Sequence, residues 1–178
     1  MKRKEIVDLV VATFLIVIGS ALLTFPLFNI TYIKYVFMGT LAFYGIVNLT
    51  QFLATSNDKD YEGLFTMLAC IVCLIILGFI NVDNNPKNLA MVLLMWIILM
   101  SLIKLKKCDF YHDQNRKIYL LKIITLVLFV LSGLLSVINL YYDAQIQVLV
   151  LGFFYFIHGI LELVDPITNY LLRIEKNE

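Results

Sequence analysis

Hydrophobic residues fall along this chain in long unbroken runs, unlike the alternation of a strand or the one-sided pattern of a soluble helix. Six runs stand out: Leu9–Phe25, Tyr35–Leu53, Leu64–Ile80, Leu89–Ile103, Ile123–Ile138 and Ile146–Val164. The first five contain no Asp, Glu, Lys or Arg, and the sixth contains only Glu162. Runs of this length and character predict transmembrane helices, because in lipid each backbone N–H and C=O must find its partner within its own segment. The fourth run, at ~1.5 Å per residue, reaches only ~22 Å against a hydrocarbon thickness of ~30 Å. The fourth and fifth spans are therefore expected to be completed by Lys104, Lys106 and Lys122, whose ammonium groups can snorkel to the interface.

The connections alternate in character. Residues 26–31, 81–88 and 141–145 are short and nearly uncharged, with turn chemistry at Pro26, Asn29 and Asp83-Asn84-Asn85-Pro86; residues 55–62 and 104–117 are charged. Twelve of the fourteen Lys and Arg fall on the side of the termini and the charged loops, leaving Lys34 and Lys87 on the other. By the positive-inside rule both termini are expected in the cytoplasm. The expected fold is thus an all-α membrane protein, a single transmembrane domain of six helices in three hairpins at about 7–54, 63–105 and 118–166. A tail at 167–178 should follow, with the last helix kinked or stopped at Pro166 and Ile167, Tyr170, Leu171 and Ile174 lying along the interface. Met1-Lys2-Arg3-Lys4-Glu5 followed by Gly19-Ser20-Ala21 has the outline of a signal peptide. The apolar stretch continues to Phe28 and the pattern recurs downstream, so it reads as a span.

Composition agrees with lipid as the solvent. The 178 residues are 61% hydrophobic and 15% charged, with a mean hydropathy of +0.89, far from the balance of a water-soluble domain. A net charge of +1 supplies no field for nucleic acid. Three cysteines, two of them inside an apolar run, do not make a disulfide framework.

An internal repeat emerges when the hairpins are compared. The first reads Ile18-Gly19 and then Tyr44-Gly45-Ile46-Val47-Asn48; the third reads Ser132-Gly133 and then His158-Gly159-Ile160-Leu161-Glu162. Both glycine pairs are 26 residues apart. The second hairpin keeps Gly78 but has Lys104 where the other glycine would stand, so its copy is degenerate. Hairpins entering the membrane in one direction make parallel repeats about an axis along the membrane normal. The stretch Ile18-Gly19-Ser20-Ala21-Leu22-Leu23-Thr24-Phe25-Pro26, together with Leu151-Gly152 and His158-Gly159-Ile160-Leu161-Glu162, resembles the small HdeD-like acid-resistance membrane proteins over about residues 7–166. The resemblance implies a six-helix bundle in a prokaryotic cytoplasmic membrane, a role in acid or envelope stress, and no catalytic residues.

Candidate chemistry lies on two helices. At ~100° per residue, Gly152, Tyr155, His158, Gly159 and Glu162 share one ~120° stripe, which should face protein because small and ionisable residues in a span do so. His158 and Glu162, at i and i+4, read either as a proton-responsive pair or as a packing contact wetted at the end of the span. On the second helix Gly39, Tyr44, Gly45, Asn48 and Gln51 form a related set, readable as a polar path or as interhelical hydrogen bonding. Gly19, Gly39, Gly45, Gly133, Gly152 and Gly159 are expected at helix contacts. Lys104, Lys106, Lys107, Arg116 and Lys117 could hold anionic lipid headgroups or simply set topology. Cys70 and Cys73 form a CxxC that reads as two small hydrophobes, and Cys108, Asp109, His112 and Asp113 have metal-like spacing on what reads as a solvated loop. Trp96, mid-span, is expected in packing, and Tyr32, Tyr35, Tyr141 and Tyr142 in an aromatic belt.

No nucleophile elbow, phosphate loop, zinc motif or dinucleotide fingerprint is present in the sequence. The expectation is a non-enzymatic membrane protein without cofactor or metal, its partners being the bilayer and either itself or another membrane protein. The alternatives are a small channel or transporter with a polar path between the second and sixth helices, and an accessory subunit of a membrane complex.

Overall fold

The computed structural model describes residues 3–25, 30–55, 61–80, 87–112, 116–142 and 146–177. They form six helices, α1 (Arg3–Thr24), α2 (Ile30–Thr55), α3 (Glu62–Phe79), α4 (Lys87–His112), α5 (Arg116–Tyr142) and α6 (Gln147–Asn177). All six are long and apolar enough to cross a membrane, so the chain is an all-α, multi-pass membrane protein by length and composition. Pro26, Asn29 and the 83–86 turn lie outside the described residues.

Each helix packs against its chain neighbours, α6 closes the ring on α1, and α2 touches α6 across the middle. The most extensive contacts are α1 with α6, α4 with α5 and α2 with α3. The three expected hairpins are therefore adjacent pairs in a ring, but each packs more fully on the next hairpin than within itself. Helix α6 is the most enclosed, with 56% of its span buried against 28–39% for the others. Large apolar side chains such as Val17, Ile46, Phe65, Met91, Leu131 and Phe153 cover the outside, the arrangement lipid requires.

Small residues set the closest approach. A Cβ on Gly159 would stand 2.8 Å from the Ile16 backbone nitrogen and 2.9 Å from the Ala12 carbonyl; one on Gly19 would stand 2.8 Å from the Gly152 carbonyl. Gly152 meets Leu22 and Leu23 in the same seam, so α1 and α6 touch backbone to backbone. Gly133 packs on the Ile97 side chain and Gly45 on Cys70. Gly39, expected in a helix contact, has open space around it. A contact absent from the sequence reading is Gly63, where a Cβ would stand 2.5 Å from the Asn48 carbonyl, seating the start of α3 on the end of α2.

Two of the boundaries that differ from expectation bear on the site. Helix α6 runs through Pro166 to Asn177; proline removes one backbone hydrogen bond, to the carbonyl of Glu162, and the flanking turns carry the helix on. The side chains of Tyr170, Leu171 and Ile174 lie outside the described residues. Helix α4 continues nine residues beyond the expected end of its span, to His112, so Lys104, Lys107 and Cys108 are helical rather than in a loop. At the other end of the bundle Lys34 Nζ donates to the carbonyl of Ile80 (2.8 Å), closing α3, and Lys87 stands over the Tyr141 ring at 4.6 Å. Tyr32, Tyr35 and Tyr142 are exposed there, as an aromatic belt would be.

Candidate functional site

The hydroxyls within the spans mostly bond back to their own helices: Thr13 to Leu9, Ser20 to Ile16, Thr40 to Val36, Ser101 to Ile97 and Ser136 to Ser132. Asn48 does the same, its amide donating to the Tyr44 carbonyl at 2.8 Å rather than to a neighbouring helix. Most of the charged side-chain contacts between helices gather at the end where α1, α3 and α5 begin and α2, α4 and α6 finish.

Glu162 Oε1 is the centre of this cluster. Lys104 Nζ of α4 donates to it at 2.6 Å, the Tyr44 hydroxyl of α2 at 3.2 Å, and His158 Nε2, one turn away on α6, lies at 2.8 Å. Next to it Lys107 reaches Glu62 of α3 (2.7 Å) and Asp165 of α6 (2.5 Å), and Lys122 of α5 pairs with Asp165. Four helices thus contribute charged groups to two adjoining sets of contacts, and Tyr44 brings in a fifth. Lys104 and Lys107, expected at lipid headgroups, are turned inward to these carboxylates. Lys106 and Arg116 are exposed, and the Lys117 side chain lies outside the described residues. The inward lysines also explain the length of α4, because a carboxylate at each one removes the need to reach the interface.

His158 is fully buried in an aromatic cage. Its ring centroid is 4.8 Å from that of Phe129, 5.2 Å from Trp96, 5.8 Å from Phe154 and 6.0 Å from Tyr44. Nε2 faces Glu162, while Nδ1 has no hydrogen-bond partner. Lys104 adds a cation–π contact, its ammonium 5.3 Å from the Phe129 centroid. Trp96 is in packing, as expected, and it forms part of the wall around the histidine.

The polar track expected along α2 and α6 narrows at this cage. Tyr44, Asn48, Gln51, His158 and Glu162 are buried on facing helices. Tyr155 stands apart, packed on Phe37 and Phe154 with its hydroxyl unpartnered. Beyond His158 the centre of the bundle is filled by Phe37, Leu41, Trp96, Phe129 and Phe154, all essentially without exposure. On the near side of the cage is a small cavity of about 20 Å³, large enough for a water molecule, lined by Asp8, Tyr44, Asn48, Glu62, Lys104 and Glu162 among others. Asp8 Oδ2 is buried and lacks a hydrogen-bond partner among the described residues.

Asp8, Glu62 and Asp165 carry no expectation from the sequence, and Lys122, expected to snorkel to the interface, is instead buried against Asp165. A signal for Asp8 is present: at ~100° per residue it shares one face of α1 with Val11, Ala12, Leu15, Gly19 and Leu22, all buried. Cys70 and Cys73 are buried and free, consistent with small apolar side chains, and Cys108 is buried on α4. The side chain of His112 and all of Asp113 lie outside the described residues. Among the described residues no three His, Cys, Asp or Glu side chains converge as a metal site. Comparison with family models, with curated proteins and with solved structures gives no match for this chain.

Proposed function

We propose that this protein is a non-enzymatic component of a prokaryotic cytoplasmic membrane that supports acid or envelope stress tolerance, its response residing in the buried Lys104–Glu162–His158 cluster. One observation carries the reading: a histidine enclosed by four aromatic rings has one nitrogen on a carboxylate that also joins α2 and α4, and its other nitrogen has no hydrogen-bond partner among the described residues. Protonation there would add charge inside the bundle, at the point where three helices meet, so it would be felt as a change in packing. The aromatic filling beyond His158 favours a responsive element over an open channel.

The packing also supports the repeat and the HdeD-like reading that came with it. Gly19 and Gly133 occupy matching places in the first and third hairpins, and each packs on the preceding helix of the ring, α6 and α4. Gly45 and Gly159 likewise each pack on the following helix, α3 and α1. Gly78, in the middle copy, has no contact within 4 Å, in keeping with a degenerate repeat.

In cells, His158→Phe and Glu162→Gln are expected to reduce survival of acid exposure while the protein remains in the membrane at normal abundance. Unchanged survival in both variants would remove the acid-response reading. Orientation has its own test. Removing inward Lys104, Lys107 and Lys122 from the charge count still leaves nine Lys and Arg on the side of the termini against two, so that side is assigned to the cytoplasm. Single cysteines placed at 57 and at 84, in a background lacking the three native ones, should be labelled by an impermeant thiol reagent only at 84 in intact cells. Labelling at 57 but not 84 would reverse the orientation.

A further inference from the structure

We infer that Asp8 is a second proton-binding group, loaded from water in the cavity between α1, α2, α3, α4 and α6 at the end of the bundle where the chain starts and finishes. The inference rests on the acid-responsive reading above, and it adds the port through which a proton would reach the cluster.

Three observations point to it. First, charges are matched elsewhere: Lys104 is held by Glu162, Lys107 by Glu62 and Asp165, and Lys122 by Asp165. Asp8 makes no ion pair among the described residues, and the ammonium that attracts it, Lys107, is held by Glu62 and Asp165. Second, Asp8 Oδ2 is a buried oxygen that no donor among the described residues reaches, which is costly for an anion and calls for a bound proton or a water. Third, Asp8 borders the cavity, about 20 Å³ in size and wide enough for one water. Two of its neighbours there, Glu62 (22% exposed) and Lys104 (18% exposed), are partly open to the outside, so water has a way in.

The groups facing Asp8 come from every helix packed around it. Tyr44 and Asn48 lie on α2, Glu62 on α3, Lys104 and Lys107 on α4, and Glu162, Asp165 and, behind them, His158 on α6; Glu5 precedes it on α1. The step is a transfer from hydronium. An O–H bond breaks on the ion and forms at the Asp8 carboxylate, releasing water and turning an unmatched anion into a neutral acid that can donate. Asp8 and Glu162 line the same cavity, so a water between them can pass the proton on to Glu162 and His158. The unpartnered carboxylate oxygen beside a water-sized cavity assigns the ligand as the proton.

The test is proton uptake by the full chain in lipid nanodiscs after an acid jump, read with an indicator dye, alongside infrared difference spectra of the carboxylic-acid C=O region. Asp8→Asn is nearly isosteric and removes no hydrogen bond accepted by Oδ2, so its melting temperature should be no lower than the parent's. It is expected to take up about one proton fewer per chain and to lose one carboxylic-acid band, while Asp8→Glu keeps the proton and shifts the band. Uptake and bands unchanged in Asp8→Asn would overturn the assignment. Should Asp8→Asn not be recovered folded, a band that fails to move in Asp8→Glu would do the same. Exchanging choline for sodium at fixed ionic strength should leave uptake unaltered, and competition by sodium would give the cavity to a metal ion instead. The two readings fail separately. Lost acid survival in His158→Phe with full uptake in Asp8→Asn sinks only Asp8, and the converse pair of results sinks only the role in acid tolerance.

Discussion

Replacing Glu162 by Ala is expected to destabilise the bundle by about 3–5 kcal/mol, the range for removing one partner of a buried ion pair. The size follows from what converges on its Oε1. Lys104 Nζ at 2.6 Å, the Tyr44 hydroxyl at 3.2 Å and His158 Nε2 at 2.8 Å all lose their acceptor at once. Lys104 becomes an unpaired charge inside the protein, and His158, whose Nδ1 already lacks a partner, is left with neither ring nitrogen bonded. Glu162→Gln keeps an acceptor oxygen and should cost roughly half as much. Lys104→Met combined with Glu162→Gln should be clearly less damaging than the sum of the two, because together they remove both charges. Thermal unfolding in a single detergent measures all four. An Ala variant within about 1 kcal/mol of the parent would show that the pair is solvated like a surface salt bridge.

Gly159→Leu and Gly19→Leu are expected to prevent recovery of folded protein, and the Ala variants to cost about 1–3 kcal/mol each as overpacking of a tight interface. The obstruction is backbone. At 159 a Cβ meets the Ile16 nitrogen and Ala12 carbonyl, and at 19 it meets the Gly152 carbonyl and the Phe156 main chain, none of which can swing aside. The three nearest atoms at Gly133 belong to the Ile97 side chain and not to backbone, so Gly133→Ala should be milder. Gly39 has nothing within 4 Å, and Gly39→Leu should fall within about 0.5 kcal/mol of the parent. A chromatographic profile of each purified variant orders them. Equal sensitivity at 39 and 159 would contradict the seam between α1 and α6.

The helices could be read from hydropathy because each span carries its own signal: the backbone must close its hydrogen bonds within the segment, and the side chains must suit lipid. The protein-facing stripe of α6 was legible for a related reason, since Gly152, His158, Gly159 and Glu162 are anomalous in a span and all are buried. The charge cluster was not legible. Lys104, Lys107 and Lys122 sit within a turn or two of span ends, where a lysine on a lone helix would snorkel to water, and Glu62 and Asp165 at such ends would be wetted. Only the ring of helices brings these ends together and makes pairing cheaper than exposure. Asn48 misled in the opposite sense: a polar side chain in a span suggests a bond to a neighbour, but the nearest acceptor is the Tyr44 carbonyl of its own helix. Gly39 shows that a glycine in a span marks a contact only where another helix passes.

The single tryptophan provides the most direct measurement. Trp96 lies 5.2 Å from the His158 ring, centroid to centroid, so a charge arriving on the imidazole changes the field at the indole. In nanodiscs, the fluorescence of the parent protein is expected to fall reversibly on acidification, with the transition abolished in His158→Phe and displaced in Glu162→Gln. A fluorescence that does not respond to pH, or a response identical in His158→Phe, would contradict a proton-responsive cluster at the centre of this bundle.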